Sequence, residues 1–199
     1  DAELGMGGTI ARMIDAGWDV TVVDLTDGEP TPFGSKEVRR KETDEANRVL
    51  GIEERLCLDM PNRYLQATLE NRKKLAEAIR LSRPDALFGP VRCDYHPDHV
   101  ATADLTAGAR FEAKFHKTDM RGEPHWVGRQ YYYYSIHRRH YDRPSFIVDI
   151  TDYWQRKIDA IGAYQSQLRN VPGGPDSFLE TTEAISRYFG HCIGCKYGE

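Results

Sequence analysis

The chain has 199 residues, which is enough for one domain with a substantial core. Its formal net charge of −4 argues against a general binder of nucleic acids or anionic membranes. No apolar run approaches the roughly 20 residues that span a bilayer, and no signal-peptide pattern opens the sequence, so we expect a cytoplasmic protein with one domain over residues 1–199.

Helices and strands alternate through the first half of the sequence. Apolar spacing and breaker residues predict helices over 3–16, 35–51, 69–81 and 97–111, and strands over 18–25, 55–58 and 86–91. Gly17 and Gly51 suit helix ends. Ser35 suits an N-cap position, and Pro97 suits a first helical turn. This alternation predicts an α/β fold with a Rossmann-like, mostly parallel sheet that carries helices on both faces.

The second half of the sequence predicts two further strands and two further helices. The strands cover 130–136 and 146–150, and they either extend the sheet or form an edge hairpin. Helices over 151–167 and 177–188 are separated by a Pro/Gly turn at 172–175. Tyrosines on both faces of the first strand make it a candidate contact in a homo-oligomer. The basic patch around His137 and His140 is interpreted as a loop.

The start of the sequence differs from a complete doubly wound fold. Such a fold normally has a central strand that feeds its first helix, whereas here the first predicted helix follows Asp1 almost at once. We expect this first strand to be missing from the sequence as given.

The most informative stretch is 94–99, which places two histidines and two aspartates directly after the predicted strand 86–91. In an open α/β sheet, catalytic groups gather at the carboxyl ends of strands. Zinc binds neutral imidazole and carboxylate groups, and a catalytic zinc keeps one position open for water. The stretch can therefore supply a metal ligand, a proton-transfer histidine and a carboxylate that orients it. The alternative interpretation is a polar loop with a capping aspartate.

Several segments resemble the zinc-dependent N-acetylglucosaminyl deacetylases, the PIG-L or LmbE-like family, and its bacillithiol-pathway branch in particular. The stretch 1–9 is similar to the family's opening motif from its second Asp onward, and 96–99 is similar to its His-Pro-Asp-His motif. The segments 37–51, 163–167 and 194–197 are similar to further family positions, so the resemblance spans nearly the whole chain.

The resemblance implies a metal site and a proton donor. Asp1 and His99 would bind the metal, which would be zinc or another divalent ion. His96 would stabilise the tetrahedral intermediate and protonate the leaving amine, and Asp98 would be the carboxylate that orients it. A third ligand, a histidine, and the general-base aspartate would lie upstream of Asp1.

The resemblance also implies a substrate, a small acetylated amino sugar of the N-acetylglucosamine type that loses its acetyl group to zinc-activated water. Arg39 would line the site for the acyl group, and Tyr197 would border the pocket. The aglycone stays open, because malate-linked, inositol-linked and chitobiose-like substrates present the same acetamido group.

Two alternative functions stay open at this point. Gly5-x-Gly7 and Asp24 suit a nucleotide-binding Rossmann-type oxidoreductase, although the third glycine of that fingerprint would fall at Ile10. A sugar-binding homologue without catalytic activity is the second alternative. The pair Cys192-x-x-Cys195 is interpreted as free cysteines near a buried chain end, because no second ligand pair accompanies it.

Overall fold

Helices and strands alternate along the chain as predicted. The computed structural model describes residues 1–135 and 142–199. The helices are α1 (Ala2–Asp15), α2 (Lys36–Leu50), α3 (Leu69–Ser82), α4 (Pro97–Glu112), α5 (Trp154–Gly162), α6 (Gln165–Leu168) and α7 (Gly174–Ile193), with a 3₁₀ turn at Thr151–Tyr153 before α5. The strands are β1 (Thr21–Asp24), β2 (Glu54–Cys57), β3 (Ala86–Pro90) and β4 (Arg129–Tyr133). This order confirms the predicted α/β class.

The helix ends follow from local chemistry. The hydroxyl of Ser35 caps α2 by accepting a hydrogen bond from the backbone N–H of Val38 at 3.2 Å. Gly51 ends the same helix in the left-handed region with φ 83°, where glycine has no steric penalty. Pro97 opens α4, where its missing N–H costs no helical hydrogen bond.

The strands form two-stranded sheets within the described residues, β1 with β2 and β3 with β4. The second pair is parallel, with Ala86 opposite Arg129 and Pro90 opposite Tyr133. The carboxyl ends of β3 and β4 therefore lie at one edge of this sheet. Residues that follow Pro90 and Tyr133 in the chain are brought together there.

The chain divides into two compact units, and each has its own packing. The described part of the first unit covers 1–22, 28–55 and 142–199, and that of the second covers 23–27 and 56–135. In the first unit, α5 packs against α1 and α2. In the second, α3 packs on α4 through a core that includes Leu75, Ile79 and Leu105. The expected single domain over 1–199 stays a prediction.

Two predictions for the second half of the chain were wrong. The segment 146–150 is not a strand of either sheet. It forms an isolated bridge with the last residues: Val148 exchanges hydrogen bonds with Glu199, and the N–H of Ile150 donates to Tyr197 at 3.0 Å. The predicted helix 151–167 is broken at Tyr164, where φ −85° and ψ 58° are not helical.

The remaining differences are smaller. Helix α7 is longer than predicted and runs over Gly174–Ile193. All four cysteines are free, as expected, and the chain end near Cys192 and Cys195 is buried at Tyr197, although Cys192 itself is exposed. Position 136 of the predicted strand 130–136, together with His137 and His140, lies outside the described residues. Within the described parts, none of the helices combines the length and the apolarity that crossing a bilayer requires.

Candidate active site

The turn between β3 and α4 builds the candidate site from residues that are close in sequence. The backbone N–H of His96 donates to the carboxylate of Asp94 at 2.7 Å. His96 is the N-cap residue of α4, and its ring Nδ1 accepts the backbone N–H of Asp98 at 3.2 Å. These bonds satisfy N–H groups at the helix start, so the turn holds its shape through its own polar side chains.

Two histidine rings meet at the start of α4. The rings of His96 and His99 stack with their centroids 4.7 Å apart. The Nδ1 atom of His99 lies 3.2 Å from the carboxylate of Asp94 and 3.2 Å from the hydroxyl of Ser135. Ser135 also donates a short hydrogen bond to Asp94. We call Asp94, His96, Asp98, His99 and Ser135 the histidine cluster.

Burial shifts the protonation of both imidazoles in the same direction. Burial lowers the pKa of His99, which is 6% exposed, and the neighbouring Asp94 opposes this shift only in part. Burial and the charge of His99 lower the pKa of His96, against the opposing carboxylates of Asp98 and Asp94. Both rings are therefore favoured in the neutral form, which is the form that binds a metal.

Asp94 keeps its charge within the histidine cluster. Burial raises its pKa, but the hydrogen bonds from the His96 backbone, the Ser135 hydroxyl and His99 outweigh burial and hold the pKa below its ordinary value. An ionised Asp94 facing Nδ1 of His99 favours the tautomer with the proton on Nδ1. Coordination to a metal would then fall to Nε2.

Asp98 connects the cluster to the loop before α3. Its side chain is buried, and Oδ2 accepts the backbone N–H of Arg63 at 2.7 Å. Arg63 has a left-handed φ of 68°, which the carboxylate helps to hold. The assignment of Asp98 as the orienting carboxylate of His96 stays a prediction.

The three other predicted site residues belong to the first unit. Asp1 is exposed and directly precedes α1. Arg39 lies on α2 and is half-buried. Tyr197 is 5% exposed; its ring stacks on Trp154 with the centroids 4.3 Å apart, and its hydroxyl donates to Glu183 at 2.9 Å. These contacts are those of a packing residue, and the role of Tyr197 at the pocket stays a prediction.

The donor groups near His99 bear on the predicted metal site. Among residues 1–135 and 142–199, no group of three His, Cys, Asp or Glu side chains is arranged to hold an ion. His99 nevertheless has the surroundings of a metal ligand, because ligating histidines almost always engage their other ring nitrogen with a carboxylate or a similar acceptor. Asp94 supplies that carboxylate. The donor chemistry of His99 therefore fits a divalent ion such as zinc.

Asp94 and Ser135 belong to the histidine cluster but were not among the predicted site residues. Asp94 was within reach, because it belongs to the 94–99 stretch and lies two residues before His96. Ser135 carried no local signal. It enters the cluster only because β4 pairs in parallel with β3 and ends at the same edge.

The glycine-rich start of α1 does not have the surroundings of a dinucleotide site. The backbone N–H groups of Gly8 and Thr9 donate to the carboxylate of Glu199 at 3.1 and 2.7 Å. The ammonium group of Lys157 lies 2.5 Å from that same carboxylate. An internal carboxylate thus takes the N–H groups that a nucleotide phosphate would need.

A family model described as GlcNAc-PI de-N-acetylase (PIG-L) matches residues 1–109. The chain belongs to the PIG-L family. This confirms the predicted family, and with it the chain is a deacetylase of the kind that acts on N-acetylated sugars. The dinucleotide-dependent oxidoreductase loses its support from both the family and the structure.

The chain is also similar to three proteins over its whole length. Diacetylchitobiose deacetylase from Thermococcus kodakarensis is 28% identical over all of this chain and 77% of its own length. The crystal structure of a conserved protein from Thermus thermophilus is 38% identical, with a TM-score of 0.91 over all of this chain and 87% of that one. N,N′-diacetylchitobiose deacetylase from Pyrococcus horikoshii, complexed with an inhibitor, is 30% identical, with a TM-score of 0.86 over all of this chain and 78% of that one.

Proposed function

We propose that this PIG-L protein hydrolyses the acetamide of an N-acetylglucosamine-type sugar and uses a divalent metal, zinc, to do so. The observation that carries the proposal is the pair of stacked imidazoles at the start of α4, one of which is held through Nδ1 by Asp94. Similarity to two diacetylchitobiose deacetylases supports a chitobiose-like substrate.

The metal would be held by His99 and Asp1 together with a third ligand upstream of Asp1. When bound, the ion supplies Lewis-acid polarisation of the acetamide carbonyl and lowers the pKa of a water molecule. His99 would contribute Nε2, because Asp94 and Ser135 engage its Nδ1. The neutral imidazole favoured by burial is the form needed for this contact.

His96 would act on the leaving amine. Its Nδ1 accepts the Asp98 backbone N–H, so the ring in its neutral form carries its proton on Nε2. That nitrogen would donate a hydrogen bond to the oxyanion of the tetrahedral intermediate. In the imidazolium form, in which Nδ1 carries a second proton in place of the bond from the Asp98 N–H, the ring would deliver its Nε2 proton to the departing amine and return to the neutral form. Asp98 would favour the charged form of this ring, since a carboxylate raises the pKa of a nearby imidazole.

Residues of the first unit would select the substrate. Arg39 would line the site for the acyl group with a guanidinium, which can donate to a carbonyl oxygen. Tyr197 would border the pocket. Its hydroxyl would not be the contacting group, because it donates a hydrogen bond to Glu183. The general-base aspartate would be supplied from upstream of Asp1.

The assembly and location stay proposals as well. Strand β4 exposes Tyr132, which is 49% accessible, and we keep this tyrosine strand as a candidate subunit contact. Light scattering of Tyr132→Glu against the unaltered protein would test the contact, because a charge in an apolar interface would lower the oligomer mass. We also propose that the protein is cytoplasmic.

The experiment that tests the function measures acetate released from N,N′-diacetylchitobiose by zinc-loaded protein, with metal content determined on the same sample. We expect turnover with stoichiometric zinc, and loss of both in His99→Ala. Binding of the sugar without acetate release would identify an inactive homologue. Enhanced NADH fluorescence on mixing would instead revive the nucleotide-binding alternative.

A further inference from the structure

The guanidinium of Arg39 is in contact with a backbone turn and with an aromatic ring, all within the first unit. A Cβ atom at Gly28 would lie 2.5 Å from Nη2 of Arg39, so this approach needs a glycine there. The Cζ atom of Arg39 also lies 5.3 Å from the ring centroid of Tyr164, within the range of a cation–π interaction. These two contacts restrict where a half-buried, otherwise flexible side chain can point.

A buried set of polar groups fixes the Tyr164 ring in turn. Its hydroxyl donates to Oε1 of Glu3 at 2.8 Å, and the same oxygen accepts from Nη1 of Arg55 at 2.6 Å. Nη1 of Arg55 also donates to Asn47 at 3.1 Å. The side chains of Glu3 and Arg55 are 3% and 9% exposed. We call Glu3, Asn47, Arg55 and Tyr164 the tyrosine network.

The Tyr164 hydroxyl stays protonated in this network. Burial and the negative charge of Glu3 raise the pKa of the phenol above its ordinary value. The hydroxyl therefore remains a hydrogen-bond donor to Glu3 at any pH at which the enzyme would work.

Hydrogen bonds join the segment that follows Tyr164 to α2, the helix that carries Arg39. The backbone N–H and the hydroxyl of Ser166 donate to the two carboxylate oxygens of Glu42, at 2.6 and 2.8 Å. Glu42 lies on α2, three residues after Arg39 and therefore on the same side of the helix. The Glu42 bonds replace helical hydrogen bonds at the break between α5 and α6, which places Tyr164 beside Arg39.

The next residue of this segment reaches the loop that contains Gly28. The side-chain amide of Gln167 donates to the hydroxyl of Thr31 at 3.2 Å. Thr31 is also bonded to Glu29 through both its N–H and its hydroxyl. The segment therefore contacts both elements that surround the Arg39 guanidinium, α2 and the loop.

We infer that Tyr164 is a positioning residue that orients the Arg39 guanidinium toward the sugar substrate. The inference rests on the proposed function, in which Arg39 lines the site for the acyl group. Arginine carries much rotamer entropy, so a preformed orientation increases the affinity that each of its hydrogen bonds provides. A buried ion pair such as Glu3–Arg55 gives little net stability over an apolar pair. Holding the ring in place is what this ion pair contributes instead.

The test compares steady-state kinetics of zinc-loaded variants with N,N′-diacetylchitobiose as the substrate. Tyr164→Leu removes the ring face, and we expect KM to rise about threefold to thirtyfold with kcat nearly unchanged, the range of a cation–π contact. Tyr164→Phe keeps the ring and loses the bond to Glu3, so its KM should rise less. Tyr188→Leu, which removes an exposed tyrosine from α7, is the matched control and should keep the original KM.

Combining the Tyr164 substitution with Arg39→Ala distinguishes a positioning role of Tyr164 from a general packing role. Arg39→Ala should raise KM by itself, and adding Tyr164→Leu to it should raise KM no further, because the ring acts through Arg39. An equal additional rise in the Arg39→Ala background would overturn the inference. Tyr164→Met, whose unbranched side chain fills a similar space, takes the place of Tyr164→Leu if thermal unfolding shows that the latter does not fold.

Different results would refute the deacetylase function and the positioning role of Tyr164. Acetate release by the unaltered protein, with KM unaffected by Arg39→Ala, would refute the positioning role and leave the deacetylase function standing. Absence of acetate release from the unaltered zinc-loaded protein would refute the function itself, and the positioning role with it.

Discussion

The histidine cluster and the tyrosine network are both polar and partly buried, but they are assembled in different ways. Four of the five cluster residues lie within the six residues 94–99, and Ser135 comes from the segment that follows β4. The tyrosine network joins residues that are far apart in sequence, since Glu3 bonds Arg55 and Tyr164. The difference shows that reactive groups can be supplied by one local turn, whereas their orientation can depend on distant packing.

The two sites also differ in the charges they bury. In the cluster, burial favours neutral imidazoles beside the ionised carboxylate of Asp94. The network instead buries an ion pair whose partners depend on each other. Substitutions in the cluster should therefore affect chemistry more than stability, and substitutions in the network should affect stability first.

The largest effect is expected from His96→Ala. Loss of the proton donor should reduce turnover by about 10²- to 10⁴-fold, the usual contribution of general acid–base catalysis. Zinc content should stay near that of the unaltered protein, because His99 and not His96 is the proposed ligand. Turnover and metal analysis on one preparation test this, with His191→Ala on exposed α7 as the control. Loss of zinc from His96→Ala would contradict the division of roles between the two histidines.

The next largest effect is expected from Arg55→Met in the tyrosine network. It leaves the buried Glu3 without the Arg55 guanidinium, which should lower the free energy of unfolding by about 3 to 5 kcal/mol. Urea denaturation measures the change. Glu45→Gln removes one partner of the exposed pair with Arg48 and serves as the control, with no measurable change expected. Equal effects of the two substitutions would remove the distinction between the network and an ordinary surface pair.

A smaller effect is expected from Asp94→Asn. Removing the charge that faces Nδ1 of His99 should weaken zinc binding or turnover by about 10- to 100-fold, as for other groups that orient a metal-ligating histidine. Competition with a zinc chelator measures the affinity. Asp104→Asn, in the surface pair with Arg92, should leave the zinc affinity unchanged. An unaltered affinity in Asp94→Asn would mean that His99 does not depend on this carboxylate.

The smallest effect concerns the pH dependence of stability in chelator-treated protein. The pKa values of His96 and His99 are lowered in the folded state, so the unfolded chain binds protons that the folded chain does not as the pH falls through about 6.5. The free energy of unfolding should therefore decrease from pH 7.5 to pH 5.5. The contribution of Asp94, whose folded pKa is also lowered, persists above about pH 4 and does not offset this decrease.

The His96→Gln/His99→Gln double variant provides the comparison for this pH dependence. Urea denaturation at both pH values should show a flatter profile in the variant than in the unaltered protein. An identical slope in the two proteins would place the pH dependence elsewhere in the chain.

The sequence predicted those parts of the fold whose signals are local. Ser35, Gly51 and Pro97 marked helix ends correctly, because caps and breakers act through neighbouring backbone atoms. The 94–99 stretch indicated the position of the reactive groups for the same reason. The family was also recognisable from motifs within the first hundred residues.

What the sequence did not predict depends on long-range pairing. The apolar segment 146–150 has the composition of a strand, but its backbone partners are Tyr197 and Glu199. The break at Tyr164 is set by Glu42, which is more than a hundred residues earlier in the chain. Ser135 joins the cluster through the parallel pairing of β3 and β4. No spacing rule within a window of a few residues contains such information.

The carboxylate of Glu199 accepts hydrogen bonds from the N–H groups of Gly8 and Thr9 and pairs with the ammonium of Lys157. These contacts have a practical consequence for protein engineering. A version trimmed before position 197 would uncover the buried Lys157, remove the backbone partners of Val148 and Ile150, and leave the N–H groups of Gly8 and Thr9 in α1 without this carboxylate. Shortened versions of the protein should therefore retain this glutamate.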